Sequence, residues 1–355
     1  MKMKFVLVGC GRIGRRHAEL LAHSVDDGGL LAGVCDSKSD RRAAFAEKYG
    51  VPAFASIGDV IANGAFDVAV VCTPSGLHAE HVIALLDGGM HVIVEKPMAL
   101  TLPDADAMLA AEKRSGNRLF VVMQNRFNRP VQKLREALEA GRLGKLVLGT
   151  VRVRWCRRQA YYDADSWRGT WALDGGVLAN QASHHVDLLQ WMMGDVESVH
   201  AVGRTALAKI ETEDVAAAVV TFRSGAIGII EATTCARPTD LEGSLSVLGS
   251  EGTVEIGGFA VNELKVWRFE QQTTEDESVI ASYSVNPPDV YGFGHATYYV
   301  DVVGALKTGR KALVEGIEGR KSLELLAALY ESMASGKTTV CPVDATSHTK
   351  LGLQG

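Results

Sequence analysis

VLVGCGRIGRRH, residues 6–17, runs from an apolar strand through three glycines into a helical pattern. Gly9, Gly11 and Gly14 keep GxGxxG spacing, and each answers a separate demand. Gly9 allows the turn, Gly11 lets backbone approach a pyrophosphate, and Gly14 lets the helix pack closely on the sheet. The start of the helix presents the positive end of its dipole to an anion, so Arg12 and Ile13, between the last two glycines, join the same candidate cofactor loop. A glycine turn in an unrelated βαβ unit would look the same in isolation. The next strand, LLAGVCD, ends at Asp36, about twenty residues beyond Gly14, where a carboxylate can accept the ribose hydroxyls of an adenosine. Together these features point to a dinucleotide. Asp36 favours NAD, because its charge would repel the extra phosphate of NADP, although Ser37, Lys38 and Arg41 are near enough in sequence to receive that phosphate if Asp36 turned away.

Outward from this stretch, the runs KFVLVG, LLAGVCD, FDVAVVCT, HVIVEK and RLFVVMQ alternate with helical segments such as SDRRAAFAEKYG and PSGLHAEHVIALLDGG. Such alternation builds stacked βαβ units on a parallel sheet, and continuously apolar strands suit a sheet covered on both faces. From about residue 145 the strands lengthen and alternate (KLVLGTVRVRW, VAAAVVTFRSGAIGIIEATT, GSLSVLGSEGTVEIGG), with turn signals between them, which predicts an antiparallel sheet. Helical patterns interrupt it at NQASHHVDLLQWMMG, GHATYYVDVVGALKTG and GIEGRKSLELLAALYESMASG. A chain of 355 residues exceeds one hydrophobic core, so two domains are expected, residues 1–124 for the cofactor and 125–355 for the substrate and for subunit contacts.

Composition excludes several classes of function. With 47% apolar and 22% charged residues the chain is ordinary for a globular protein, and its formal net charge of -5 argues against a nucleic-acid partner. RVRWCRR, 152–158, is the one dense basic segment, and it reads either as the polar face of a strand or as a site for an anionic ligand. Six cysteines lack any CxxC pair, which fits a reducing compartment and offers no metal cluster. No apolar run approaches the ~18 residues of a membrane helix, and the N-terminal apolar stretch is too short for a signal peptide. A cytoplasmic protein without a membrane partner is the expectation.

In open α/β sheets the ligand sits beyond the carboxyl ends of the strands. VVCTPSGLH, 70–78, and VIVEKP, 92–97, end there, so Thr73, Pro74 and His78 would form one lip of a cleft and Glu95, Lys96 and Pro97 the other. His78 also reads as a histidine on a helix surface, and Lys96 taken alone as a surface charge. The glycine fingerprint, the strand-end EKP and the downstream GGVLANQASHHVDLLQWMMG, 175–194, together resemble the glucose-fructose oxidoreductase and inositol dehydrogenase family over nearly the whole chain. That resemblance implies an α/β Rossmann domain plus an α+β domain with an open, mainly antiparallel sheet, and homodimers or homotetramers formed through that sheet. It also implies a catalytic histidine at His184 with Asp187 one helical turn on, whereas His185 points about 100° away. Asn180 stands where many members carry Asp, and an amide cannot ionise, though it can still hydrogen-bond a sugar. Two ligand types from His184 and Asp187 are too few for a metal centre.

The chemistry implied is oxidation of a secondary alcohol, in which His184 takes the hydroxyl proton, Lys96 stabilises charge developing on oxygen and Glu95 orients Lys96. QNRFNRP, 124–130, resembles the family's cleft segment. It supplies Gln124 to the cofactor side and Arg126 and Asn128 to the substrate, with N-capping and surface charge as the plain alternatives. YYDADSWRGTW, 161–171, resembles a segment near the nicotinamide and adds Trp167 and Arg168, where core packing would equally explain Trp167. With NPPDVYGFGHATYYVD, 286–301, and its Tyr291 and His295, the chain looks like one branch of the family, bacterial dehydrogenases that oxidise C3 of the sugar in UDP-2-acetamido-2-deoxy-glucuronate for surface polysaccharide. Arg157, Arg158, Arg168 and Arg237 could meet such an anionic nucleotide sugar, or could simply be a solvated strand face. An inositol or free-sugar dehydrogenase and a non-catalytic NAD-sensing regulator are the alternative functions.

Overall fold

The computed structural model describes residues 2–23, 28–285 and 292–344. The chain forms two compact units, Met1–Val122 with Ala296–Lys321 and Met123–His295 with Ser322–Gly355. It therefore changes unit three times, where a single boundary after residue 124 is the expectation from the sequence. Residues 296–321 join the first unit because they carry partners for its interior. Tyr299 sits edge-on to Phe5 at 6.0 Å, Arg118 donates to the Ala305 carbonyl at 2.9 Å and pairs with Glu315, and Arg320 donates to Asp106 at 2.9 Å.

The first unit is built on six parallel strands, β1 (Met3–Val8), β2 (Gly29–Cys35), β3 (Ala53–Phe54), β4 (Val68–Val71), β5 (His91–Val94) and β6 (Leu119–Val121), in the order β3-β2-β1-β4-β5-β6. Phe5, Val6, Leu7 and all of β4 are fully buried, as strands covered on both faces must be. Strand order reverses where β1 and β4 lie side by side, and a doubly wound sheet opens a crevice beyond the ends of those two strands. Helix Arg12–Ala22 follows β1 and buries Gly14, His17, Ala18 and Leu21, one stripe at i, i+3, i+4 and i+7.

The second unit is built on eight strands, β7 (Leu146–Arg154), β8 (Val196–Arg204), β9 (Val215–Phe222), β10 (Ile227–Thr233), β11 (Glu242–Gly249), β12 (Gly252–Gly257), β13 (Glu263–Phe269) and β14 (Thr339–Val340). Their order is β13-β12-β11-β7-β10-β9-β8-β14, antiparallel throughout except for the parallel pair β7 and β10. The RSGA turn closes the β9–β10 hairpin with Gly225 at φ 84, a conformation open to glycine. Helix Ser183–Met193 lies on the inner face of this sheet. A Cβ on Gly149 would come within 2.8 Å of Leu189 and Met193, so the glycine marks where the helix touches β7. This helix starts later than the helical pattern of the sequence, because Val177–Gln181 forms a separate wide turn of π-helix ahead of it. Among the described residues no helix is long and apolar enough to cross a membrane.

Candidate active site

In the first unit the glycine loop is shaped by contact as well as by conformation. Gly9 has φ 104, and a Cβ there would meet the Cys72 carbonyl at 2.7 Å, while a Cβ on Gly14 would strike the Gly9 carbonyl oxygen. Gly11 has no neighbour within 4 Å of that position and leaves backbone open at the N-cap of helix Arg12–Ala22, beside Arg12 and Ile13. Asp36 is held from two sides. Its carboxylate accepts the backbone N–H of Cys10 at 2.8 Å and that of Lys38 at 2.8 Å, so it does not turn away from the loop. The loop and this carboxylate fit the pyrophosphate and adenosine ribose of a dinucleotide, and a fixed negative charge there disfavours a 2'-phosphate.

The strand-end residues are gripped from behind. His78 is buried, with Nδ1 2.9 Å from the Pro97 carbonyl and Nε2 2.9 Å from the Thr73 carbonyl, so it ties the Thr73-Pro74 turn to the EKP turn instead of lying on a helix surface. Burial lowers its pKa, and the two carbonyl contacts oppose that shift. The Lys96–Pro97 peptide is cis. Glu95 meets Lys96 through the main chain, its Oε2 accepting the Lys96 N–H at 3.1 Å, and its Oε1 lies 2.8 Å from His17 Nε2. A carboxylate only accepts, so that His17 nitrogen donates, and on a singly protonated ring Nδ1 accepts from the Tyr299 hydroxyl at 2.7 Å. His17 and Tyr299 were not readable as site residues. The one local signal was His17 falling three positions after Gly14, on the buried stripe of its helix.

In the second unit Gln124 and His184 come together, the Gln124 amide nitrogen 2.9 Å from His184 Nε2, both residues buried. An amide nitrogen donates, so this imidazole nitrogen is left in its proton-accepting form. His185 points into the core against Trp155, 5.8 Å between ring centres, and burial brings its pKa down to about 4. That separates the neighbouring histidines as their helical phase requires. Asp187 does not serve His184: both its oxygens accept from Arg126, Nε at 2.8 Å and Nη2 at 2.6 Å, with Trp191 stacked on the guanidinium. Arg126 is therefore committed within the protein. The amide nitrogen of Asn128 donates to the Ala260 carbonyl at 3.0 Å. Asn180 donates to Asp174, which places a carboxylate beside the amide by a route that the sequence pattern does not display.

Arg168 stacks on Trp167 and Tyr161, each 4.5 Å from its guanidinium, and donates to the Tyr161 hydroxyl at 2.6 Å. Arg152 and Arg154 pair with Glu242 and Glu231 on neighbouring strands, so half of the basic segment is a paired sheet face. Arg157 pairs with Asp240 at 2.9 Å, and Arg237 donates to the Thr234 and Ala236 carbonyls. His295 is fully buried in the first turn of helix Gly294–Thr308, and Tyr291 lies outside the described residues.

One buried acid was missed by motif reading. Glu213, just before β9, faces the Gly175-Gly176 loop, and burial pushes its carboxyl up from 4.5 to about 7, with Asp174 adding to the rise and the Leu178 amide and Tyr330 hydroxyl opposing it. Between these values the folded chain holds a proton that the unfolded chain has released. The stabilisation is therefore complete below about 4.5 and is lost as pH rises through about 7. The urea midpoint of Glu213→Gln is expected to fall less from about pH 5 to about pH 8 than that of the native chain. Identical pH dependence in the two chains would remove this assignment.

Residues 3–123 match the family model described as the oxidoreductase family, NAD-binding Rossmann fold, and residues 131–255 match the GFO/IDH/MocA C-terminal domain. The chain is 30% identical over 337 residues to myo-inositol 2-dehydrogenase of Thermotoga maritima, covering 93% of this chain and 96% of the relative. Among solved structures it is similar to the WlbA dehydrogenase from Bordetella pertussis in complex with NADH and UDP-GlcNAcA, at 41% identity and a TM-score of 0.90, over 97% of this chain and 98% of that one. The WlbA enzyme from Chromobacterium violaceum, in complex with the same two molecules, is 42% identical with a TM-score of 0.91, over 97% of each chain.

Proposed function

The chain belongs to the GFO/IDH/MocA oxidoreductase family, and from that premise we propose that it is an NAD-dependent dehydrogenase oxidising the C3 hydroxyl of UDP-GlcNAcA, UDP-2-acetamido-2-deoxy-glucuronate, in the making of a surface-polysaccharide sugar. The observation that carries this reading is near-full-length similarity, above 40% identity, to two dehydrogenases held with NADH and that nucleotide sugar. Bound NAD would accept the hydride from the carbinol carbon. The rest of the work falls to the chain. His184, whose Nε2 is an acceptor in its contact with Gln124, would take the hydroxyl proton. Lys96 would stabilise the oxygen as it gains charge, on a backbone held by Glu95, which is itself held by His17, and His17 in turn by Tyr299. Arg126 is not offered as a substrate ligand, because both oxygens of Asp187 engage it, whereas Asn128 uses only its amide nitrogen internally. Arg168, its guanidinium set by Tyr161 and Trp167, is the stronger candidate for the cofactor side.

The test is turnover. UDP-GlcNAcA with NAD is expected to give NADH absorbance at a kcat/KM at least about 100-fold above that for myo-inositol or free glucuronate, since a site that pairs buried polar groups with a substrate strongly rejects analogues lacking them. Equal rates on myo-inositol would favour the inositol or free-sugar reading, and tight NAD binding without turnover on any of these would favour the regulator.

The exposed face of the second sheet supports a homo-oligomer. Val202, Val219, Ile227 and Ile229 stand 40–55% exposed on the adjoining strands β8, β9 and β10, an apolar patch of the kind that marks an interface. Light scattering that reads a monomer would remove this part. Six free cysteines support a reducing, cytoplasmic setting.

A further inference from the structure

We propose that Glu213 and Tyr330 are positioning residues for His184, clamping the irregular turn Val177–Gln181 from which the histidine's helix starts. This rests on the reading of His184 as the proton acceptor.

A wide turn ahead of a helix leaves backbone N–H groups without the regular ladder, and buried ones must find partners. Here four successive amides end on two residues. The Gly176 and Ala179 N–H groups donate to the Tyr330 hydroxyl at 3.2 and 3.3 Å, and the Leu178 N–H donates to Glu213 Oε1 at 2.9 Å. The Val177 N–H donates to the Glu213 main-chain carbonyl at 2.9 Å. The Tyr330 hydroxyl in turn donates to Glu213 Oε1 at 2.7 Å, closing the set. Below the clamp the chain runs on through Ala182 N–H to the Val177 carbonyl at 2.8 Å and Val186 N–H to the Ala182 carbonyl at 2.9 Å, so displacement of the turn is carried into the first turn of the helix and its His184.

Three further features fit a clamp that positions and does more than fill space. A Cβ on Gly176 would fall on the Glu213 carboxylate as the clamp holds it, and Gly175 has φ 83, so each glycine of the motif has its own local reason, the first conformational and the second this contact. Tyr330 is carried on helix Gly316–Ser335 and Glu213 lies two residues ahead of β9, so regular elements stand directly behind the clamp, the kind of support that holds a functional side chain in place. Finally, a buried carboxyl is costly, and among the described residues the groups that offset its burial are hydrogen-bond donors of the clamp, the Leu178 amide and the Tyr330 hydroxyl. The charged group acting on it is Asp174, which raises its pKa. Asp214 beside it turns away to accept the amides of Ala206, Leu207 and Ala208, and the Tyr162 hydroxyl is engaged with Thr234. What Glu213 holds is the turn.

The experiment measures kcat, KM and NAD affinity with UDP-GlcNAcA for Glu213→Ala, Glu213→Gln and Tyr330→Phe, each in the native chain and in a His184→Ala chain. Glu213→Ala should lower kcat by on the order of 10²-fold, the effect of about a 1 Å misplacement, with KM and NAD affinity within about twofold. Glu213→Gln, whose amide oxygen still accepts both donors, should keep kcat within about threefold, and Tyr330→Phe should fall between the two. In the His184→Ala chain, Glu213→Ala should cost nothing further, because its effect is routed through the imidazole. Wild-type kcat in Glu213→Ala, or a full additive loss in the His184→Ala chain, overturns the proposal. Where Glu213→Ala does not fold, Tyr330→Phe decides, and wild-type kcat there overturns it. A His184→Ala chain that keeps the wild-type rate instead overturns the reading of His184 as base, so the two failures are distinguishable.

Discussion

His184→Ala is expected to lower kcat by about 10²–10⁴-fold, the range a positioned general base contributes, and Lys96→Ala by about 10²–10³-fold, the range for loss of one donor to a developing oxyanion. NAD affinity should change little in His184→Ala, because the glycine loop and Asp36 are held by Cys72, Cys10 and Lys38 of the first unit. The two losses should also differ with pH. Removing the base should abolish the acidic limb of the kcat/KM profile that reports its protonation, whereas removing Lys96 should leave that limb in place. Stopped-flow NADH formation with fluorescence titration of NAD would check both. Variants that turn over within tenfold of the native rate would end the assignment of these two side chains.

The second large effect concerns stability and follows from the Arg126–Asp187 pair. Both side chains are almost fully buried, 6% and 2% exposed, and the pairing is bidentate. Breaking such a pair from one side leaves an uncompensated charge in the interior, so Asp187→Asn or Arg126→Ala should cost about 3–5 kcal/mol, a large share of the margin of an ordinary domain. Replacing both partners by apolar residues, Arg126→Met with Asp187→Leu, should recover most of that loss, since a buried ion pair is often no better than a well-packed apolar one. Urea unfolding of the three chains decides the matter. If Arg126→Ala folds with native stability and only substrate KM rises, the arginine is a ligand after all and the ion pair is incidental.

The Rossmann half was readable because its logic is local: strand, glycine turn, helix and strand-end carboxylate follow one another within 36 residues, each with a steric reason. His184 was separable from His185 because helical phase alone distinguishes adjacent positions. What could not be read depends on partners far along the chain. His17 meets Tyr299 across 282 positions, Arg126 meets Asp187 across 61, and Tyr330 meets Glu213 across 117. The same holds for the parallel β7–β10 pair, which no hairpin spacing announces, and for Arg126 and Asn128, where local context spoke for capping or ligand contact while the fold used them as internal ties. Asn180 taken by itself signals the loss of a carboxylate, yet Asp174, immediately ahead of the double glycine, stands against it.

The interleaved units also bear on how the protein is made. Because Ala296–Lys321 completes the unit that begins at the N-terminus, a ribosome has to reach Tyr299 before Phe5 and His17 have their partner, and Ala305 and Glu315 before Arg118 has its own. A stop codon near residue 124 would release the complete six-stranded sheet without those partners, so the nucleotide-binding half should not be recoverable as an autonomous fragment from the first third of the gene.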